Sequence, residues 1–301
     1  MCGIVGLFAK SSEIESSLGE HLAAMLTQMS DRGPDSAGVA VYRDPAPSGS
    51  SKLTLYSSDP LQDWDAVAAE LGNVFGGSPE ASVRSSHAVV VVDTDAVEAE
   101  AWVKRAQPEL RVMSAGQTIE IYKETGRPED FVSQFSLADF HGSHALGHTR
   151  MATESRVTTE GSHPFSTGLD LCLVHNGSLS NHNRLREELR RAGIAFQTEN
   201  DTEVAAAYLA WRLHEGATLE QALAGSLEDL DGFYTFLVGT ADGFAVLRDP
   251  IACKPAVIAE SDDWVAMASE WRAIAVLPGA SEARTWEPAP GVVYAWERAK
   301  V

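Results

Sequence analysis

The chain opens on an apolar run. Residues 2–9 contain two glycines, end at Lys10 and two serines, and read as a buried strand that starts at the second residue. Ile14, Leu18, Leu22, Met25, Leu26 and Met29 then recur at the spacing of one helix face, which predicts a helix over 13–30. Arg32-Gly33-Pro34-Asp35-Ser36 breaks that period, and residues 38–42 read as a second strand. Residues 44–60 are rich in Pro, Ser, Asp and Gly, as in an exposed loop. Residues 62–140 look like a small α/β insertion, with a helix at 61–75, a strand at 87–92, a helix at 95–106 and short strands near 111–114 and 118–122. Beyond it, strands are predicted at 145–150, 171–175, 233–239, 244–247, 256–259 and 264–268. Helices are predicted at 183–192, stopped by Gly193, at 202–214, capped by Asp201, and at 219–227. Short strands with few βαβ repeats predict an α+β chain of mostly antiparallel sheets covered by helices. No internal repeat is visible, and no glycine-rich phosphate loop follows a strand.

Composition narrows the function classes. With 301 residues the chain makes one large domain or two small ones, and we take 2–301 as one domain carrying the insertion. Hydrophobic residues at 44% and charged residues at 22% exclude wholesale disorder. The formal charge of −20 opposes phosphate backbones and anionic lipid, so neither nucleic acid nor a membrane is an expected partner. Cys2, Cys172 and Cys253 are too few and odd in number for a disulfide framework, which favours a reducing compartment. The first ten residues lack the layout of a signal peptide, and no run approaches a membrane span. A cytoplasmic protein is the expectation.

Candidate chemistry begins at Cys2. Removal of the initiator methionine would leave one residue with both a thiol and a free α-amine. An α-amine with a pKa near 7.7–8.0 is partly neutral at pH 7 and can take the thiol proton, a known form of nucleophilic catalysis. The plainer reading is a small buried residue opening a strand. His175-Asn176-Gly177 follows an apolar strand: the Asn176 amide and the Gly177 N–H would make two oxyanion donors, or Asn-Gly would be a hairpin turn. Arg150 closes a strand and suits bidentate capture of a carboxylate, or it forms a structural ion pair. Asp201 could hold a substrate ammonium, or only cap its helix. His141, His144 and His148 are spaced like metal ligands, but no cysteine or carboxylate completes a compact site, and no metal is expected.

Six motifs occur in a family's order: Cys2-Gly3-Ile4-Val5-Gly6, Arg32-Gly33-Pro34-Asp35-Ser36-Ala37-Gly38, His148-Thr149-Arg150-Met151-Ala152-Thr153, His163-Pro164, His175-Asn176-Gly177 and Asn200-Asp201-Thr202-Glu203. In this the chain resembles the class II, N-terminal-nucleophile glutamine amidotransferases. Arg248-Asp249-Pro250, Lys254-Pro255 and Ser269-Glu270 look like later strands of the same domain. The resemblance implies a four-layer αββα sandwich. It implies that Cys2 attacks glutamine to form a γ-glutamyl thioester, with Asn176 and Gly177 on the oxyanion. Arg150, with Thr153 nearby, would take the α-carboxylate and Asp201 the α-ammonium, supported by Arg32 and His175. Met151 and Glu154 depart from the sugar-synthase relatives, which carry an aromatic residue and a histidine there.

The same resemblance bears on partners. Free ammonia is protonated in water and is then a poor nucleophile, so such enzymes pass it directly to a second site. The glutaminase features run to about residue 295, so the acceptor is expected on another polypeptide. The form most resembles the separate amidotransferase subunit of glutamate-synthase-like enzymes such as N-methylglutamate synthase. Its partners would be an FMN-binding barrel subunit and a β-helical subunit. FMN and an iron–sulfur cluster would then sit in those partners, with no cofactor in this chain. The alternatives are an independent γ-glutamyl amidase and a non-catalytic structural or regulatory subunit. The insertion is expected to dock a partner.

Overall fold

Two antiparallel sheets lie face to face, and the alternation along each strand decides what fills the space between them. The structure, a computed structural model, describes residues 2–152 and 157–298. The first sheet has seven strands in the order Arg284–Trp286, Val257–Glu260, Trp264–Ala268, Gly3–Ala9, His144–Arg150, Ser36–Tyr42 and Ile119–Thr125. The second has five, in the order Val293–Glu297, Gly243–Arg248, Gly232–Thr240, Leu171–Leu179 and Phe165–Gly168. Among the described residues every strand pair is antiparallel.

Period-two alternation sorts the core into layers. From Gly3–Ala9, Ile4 and Phe8 point inward with Val174, Leu237, Phe244 and Val246 of the other sheet. Val5, Leu7 and Ala9 point outward onto Leu18, Leu22 and Leu26 of the helix Leu18–Thr27. On the far side, Leu173, Phe236 and Val238 pack on Val204, Leu209 and Leu223, from the helices Asp201–His214 and Leu219–Asp229. The result is helix, sheet, sheet, helix: the α+β, αββα sandwich of the N-terminal-nucleophile hydrolases. Strands covered on both faces read as unbroken apolar runs, which is why they stood out in the sequence.

Three expectations are corrected. Residues 44–60 are not all loop, because Ser51–Tyr56 is a strand buried along its whole length. It pairs with His87–Val92 and Arg111–Gly116 inside a four-stranded sheet completed by Ala81–Arg84. Its polar positions hid it: Lys52 is paired with Glu120 at 3.0 Å, and Ser114 donates to Thr54 at 3.0 Å. The boundaries set at 62–140 also shift, since this sheet takes its strands from 51–116. Ile119–Thr125 instead pairs with Ser36–Tyr42 at the edge of the seven-stranded sheet. The helix expected over 13–30 is two helices, Ser12–Ser16 and Leu18–Thr27, interrupted at Ser17, whose ψ of 17° leaves the helical region.

Register then places the site. Gly3 lies opposite Thr149, so Cys2 enters the first sheet beside Arg150, where the neighbouring strand ends. Ser36 lies opposite Arg150 on that strand's other side and brings the Arg32–Asp35 turn to the same sheet end.

Candidate active site

Cys2 is half-buried at the head of its strand and is held by its main chain. Its carbonyl accepts from Arg32 Nε at 3.0 Å and from Asn176 Nδ2 at 3.2 Å. Two residues on, Ile4 N donates to Ser269 Oγ and Ser269 N returns a bond to Ile4 O, both at 2.9 Å. Arg32 also pairs with Glu270, whose second oxygen accepts from Arg272 at 2.7 Å. The Arg32 hydrogen bond and charge hold the Glu270 carboxyl below the usual carboxylate range. The Cys2 thiol itself lies 4.0 Å from the Met151 carbonyl.

Asn176-Gly177 is no hairpin turn. Both residues lie within Leu171–Leu179, paired with Thr235 and Tyr234 of the next strand. Gly177 adopts φ +153°, and a Cβ there would collide with the Phe233 carbonyl, so the position needs glycine. The Asn176 amide is buried, and its bond to the Cys2 carbonyl places it beside the nucleophile candidate while using one of its two N–H groups.

Arg150 is 6% exposed and donates to the Gly161 carbonyl at 3.1 Å. Asp35 braces the turn after it: Asp35 N donates to Arg150 O at 3.0 Å, and Ala152 N to the Asp35 carboxylate at 2.7 Å. Asp201 is not the helix cap. Asn200 takes that role by accepting from Thr202 N at 2.9 Å, and Asp201 is the first helical residue. Its carboxylate accepts from Leu179 N at 3.0 Å and keeps an edge open toward the cleft. Thr153 and Glu154 lie outside the described residues.

Behind these groups runs a buried polar chain that the sequence reading did not assign. His148 Nε2–H donates to the His175 carbonyl at 3.0 Å, which leaves His148 Nδ1 to accept from His163 Nδ1–H, also at 3.0 Å. His163 Nε2 then accepts from the Thr202 hydroxyl at 2.7 Å, and that oxygen accepts from His175 Nδ1–H at 2.9 Å. Each bond fixes the next tautomer, and all three rings are neutral. Burial drives His148 down to about 3 and His163 well below its ordinary value. Burial also lowers His175, against the pull of Asp201. The spacing of His141, His144 and His148 does not bring them together. His141 bonds Asp44 at the surface, and His144 stacks on Tyr42.

These elements enclose a cleft of about 480 Å³. Of the expected residues, Cys2, Arg150, His175, Gly177 and Asp201 line it, while Arg32 and Asn176 stand behind Cys2. Lys254 also lines it, with its ammonium 5.1 Å from the centre of the Phe233 ring. The sequence signal for His163 and Thr202 was present: both sit inside motif blocks, and a buried histidine needs a partner. The cleft thus sets a cation and an anion around a cysteine, a pattern complementary to a zwitterionic amide.

The fold and this arrangement are those of a class II glutamine amidotransferase, and the chain belongs to that family. The sequence profile described as "Glutamine amidotransferase domain" matches residues 148–276. Over 301 residues the chain is 54% identical to the "Glutamine amidotransferase-like protein GlxB" of Rhizobium meliloti, covering 100% of this chain and 99% of that one. It is 33% identical to the amidophosphoribosyltransferase of Bacillus subtilis over 59% of this chain and 37% of that one. The solved glutamine phosphoribosylpyrophosphate amidotransferase of B. subtilis shares the fold, with a TM-score of 0.63 at 21% identity. That match covers 98% of this chain and 47% of the solved one.

Proposed function

We propose that the protein is a glutaminase whose nucleophile is Cys2 and whose ammonia passes to a separate synthase subunit. The observation that carries the reading is the convergence of Cys2, Arg150 and Asp201 on one cleft, with Asn176 and Gly177 beside the cysteine. Once Met1 is removed, the free α-amine takes the thiol proton and the thiolate attacks the side-chain amide carbon of glutamine. Asn176 Nδ2–H and Gly177 N–H hold the resulting oxyanion. As the tetrahedral species collapses, the C–N bond breaks and the α-ammonium returns its proton to the leaving ammonia. A γ-glutamyl thioester remains. Water, deprotonated by the same amine, then attacks it, and glutamate leaves with the thiol restored. Arg150 fixes the α-carboxylate and Asp201 the α-ammonium, so binding energy aligns the amide with sulfur. Arg32 and His175 support the site.

Ammonia protonates in water, which favours transfer to an acceptor site without release. We place that acceptor on a glutamate-synthase-like partner of the N-methylglutamate synthase kind. It would comprise an FMN-binding barrel subunit and a β-helical subunit, with FMN and any iron–sulfur cluster held there. A cytoplasmic location fits three free cysteines. Among the described residues no helix is long and apolar enough to cross a membrane. The test is glutamine hydrolysis by the purified protein, by Cys2→Ala, and by the protein with candidate subunits. Activity that vanishes in Cys2→Ala and rises with a partner supports the reading. Full activity alone, indifferent to partners, would make the protein an independent γ-glutamyl amidase. No hydrolysis in any combination would make it non-catalytic.

A further inference from the structure

Lys123 lies on the edge strand Ile119–Thr125, outside every sequence motif of the cleft, and is 4% exposed. Its ammonium donates to the carbonyls of Glu160 at 3.1 Å, Ser162 at 2.9 Å and Pro164 at 3.2 Å. All three N–H donors of the side chain are therefore aimed at one loop. Gly38, on the neighbouring strand, is where that loop is admitted: a Cβ there would strike the His163 carbonyl and come within 2.6 Å of Lys123 Cβ. Across a void of about 30 Å³ stands Glu203. Its carboxylate accepts from Gln197 N and Thr198 N, both at 2.7 Å, and so holds a second loop.

Each loop governs one end of the cleft. The first presents the Gly161 carbonyl to Arg150 at 3.1 Å and to Asn200 Nδ2 at 3.3 Å. The second leads through Asn200 into Asp201. A buried ammonium is a costly way to fill space, since an apolar side chain of similar length would pack there without desolvation. Burial does pull Lys123 down to about 7, against the opposing charges of Glu203 and Glu160. What the charge adds over packing is a fixed direction for three carbonyls and an electrostatic tie to the opposite loop.

We propose that Lys123 and Glu203 form a positioning pair that sets the separation of the carboxylate-binding and ammonium-binding ends of the cleft. The pair thereby selects amides with a free α-carboxylate and α-ammonium at that spacing. The proposal rests on the glutaminase reading. Lys123 touches no substrate and acts through Gly161 and Arg150, while Glu203 acts through the 197–200 loop.

The test compares L-glutamine with its deamino analogue, glutaramate, in the full chain and in Lys123→Met, Lys123→Arg and Glu203→Gln. For Lys123→Met the expected result is a KM for L-glutamine raised about tenfold, kcat within about threefold, and preference over glutaramate reduced about fivefold. Lys123→Arg should recover part of that preference, because it keeps the charge and the donors. Glu203→Gln should shift the same ratio in the same direction. General loss of folded protein lowers both substrates alike and leaves the ratio unmoved. If Lys123→Met does not fold, the two conservative variants read the same ratio. Unchanged KM and unchanged preference in the folded variants would overturn the positioning pair while wild-type turnover upheld the glutaminase. A wild type inactive toward glutamine would contradict the glutaminase reading, and the pair with it.

Discussion

Arg150 and Asn176 illustrate two ways in which a side chain can serve the proposed reaction, and kinetics separate them. In the proposed reaction Arg150 faces a group that stays charged throughout, so Arg150→Ala removes binding shared by ground and transition states. KM for glutamine should rise at least about tenfold with a smaller change in kcat, and an unchanged KM would remove Arg150 from the substrate. In the proposed reaction Asn176 faces charge that appears only in the transition state. Asn176→Ala should cut kcat by roughly 10²–10³, and a near-normal kcat would reduce its role to the bond it gives the Cys2 carbonyl. These residues were legible because each sits in a short motif whose chemistry is particular to its side chains. His163 and Thr202 also sit in motif blocks, but the bond that joins them was not legible, since a neutral histidine joined to a hydroxyl leaves no mark in spacing. Lys123 was less legible still, because its partners are backbone carbonyls 37, 39 and 41 residues away.

At the scale of elements, the helix Asp201–His214 ties packing to chemistry. Val204 and Leu209 bury it against the second sheet, and its first turn delivers Thr202 to the histidine chain and Asp201 to the cleft. Asn200 caps it and also reaches the Gly161 carbonyl. Asn200→Ala should cost about 1 kcal/mol of stability and raise KM for glutamine together. Denaturant unfolding and glutamine kinetics check both, and an unchanged midpoint would show that the cap does not hold this end. The sequence placed the helix to within a residue but assigned the cap to Asp201. Asp and Asn are equally good caps, and one residue of offset decides which side chain is released for binding. The strand Ser51–Tyr56 escaped because two of its buried polar residues find partners more than fifty residues away, Lys52 in Glu120 and Thr54 in Ser114.

For the molecule as a whole, the buried histidines impose a pH limit. Burial takes His87, His144 and His148 down to about 3, against about 6.5 in an unfolded chain. Between these values the unfolded chain binds protons that the folded chain refuses, so acidification favours unfolding. The contribution is complete above about pH 6.5 and is lost progressively as pH falls toward 3. The denaturant midpoint should therefore drop between pH 7.5 and 5.5, above the range where most carboxylates titrate. A midpoint constant over that interval would mean that these rings take up protons in the folded state. The α+β class was readable at this scale from short strands with few βαβ repeats, and the αββα layering only through the family resemblance. The strand order was not readable, because pairing across more than a hundred residues, such as Gly3 with Thr149, is set by the closed core rather than by local pattern.

The central claim is that a mature chain begins at Cys2 and uses its sulfur. Intact mass spectrometry of the active protein, before and after reaction with an electrophilic glutamine analogue, tests it most directly. The expected result is a starting mass short of Met1 and one covalent adduct, mapped to Cys2 and blocked by excess glutamine. Active protein that retains Met1, or inactivation with Cys2 unlabelled, would contradict the account.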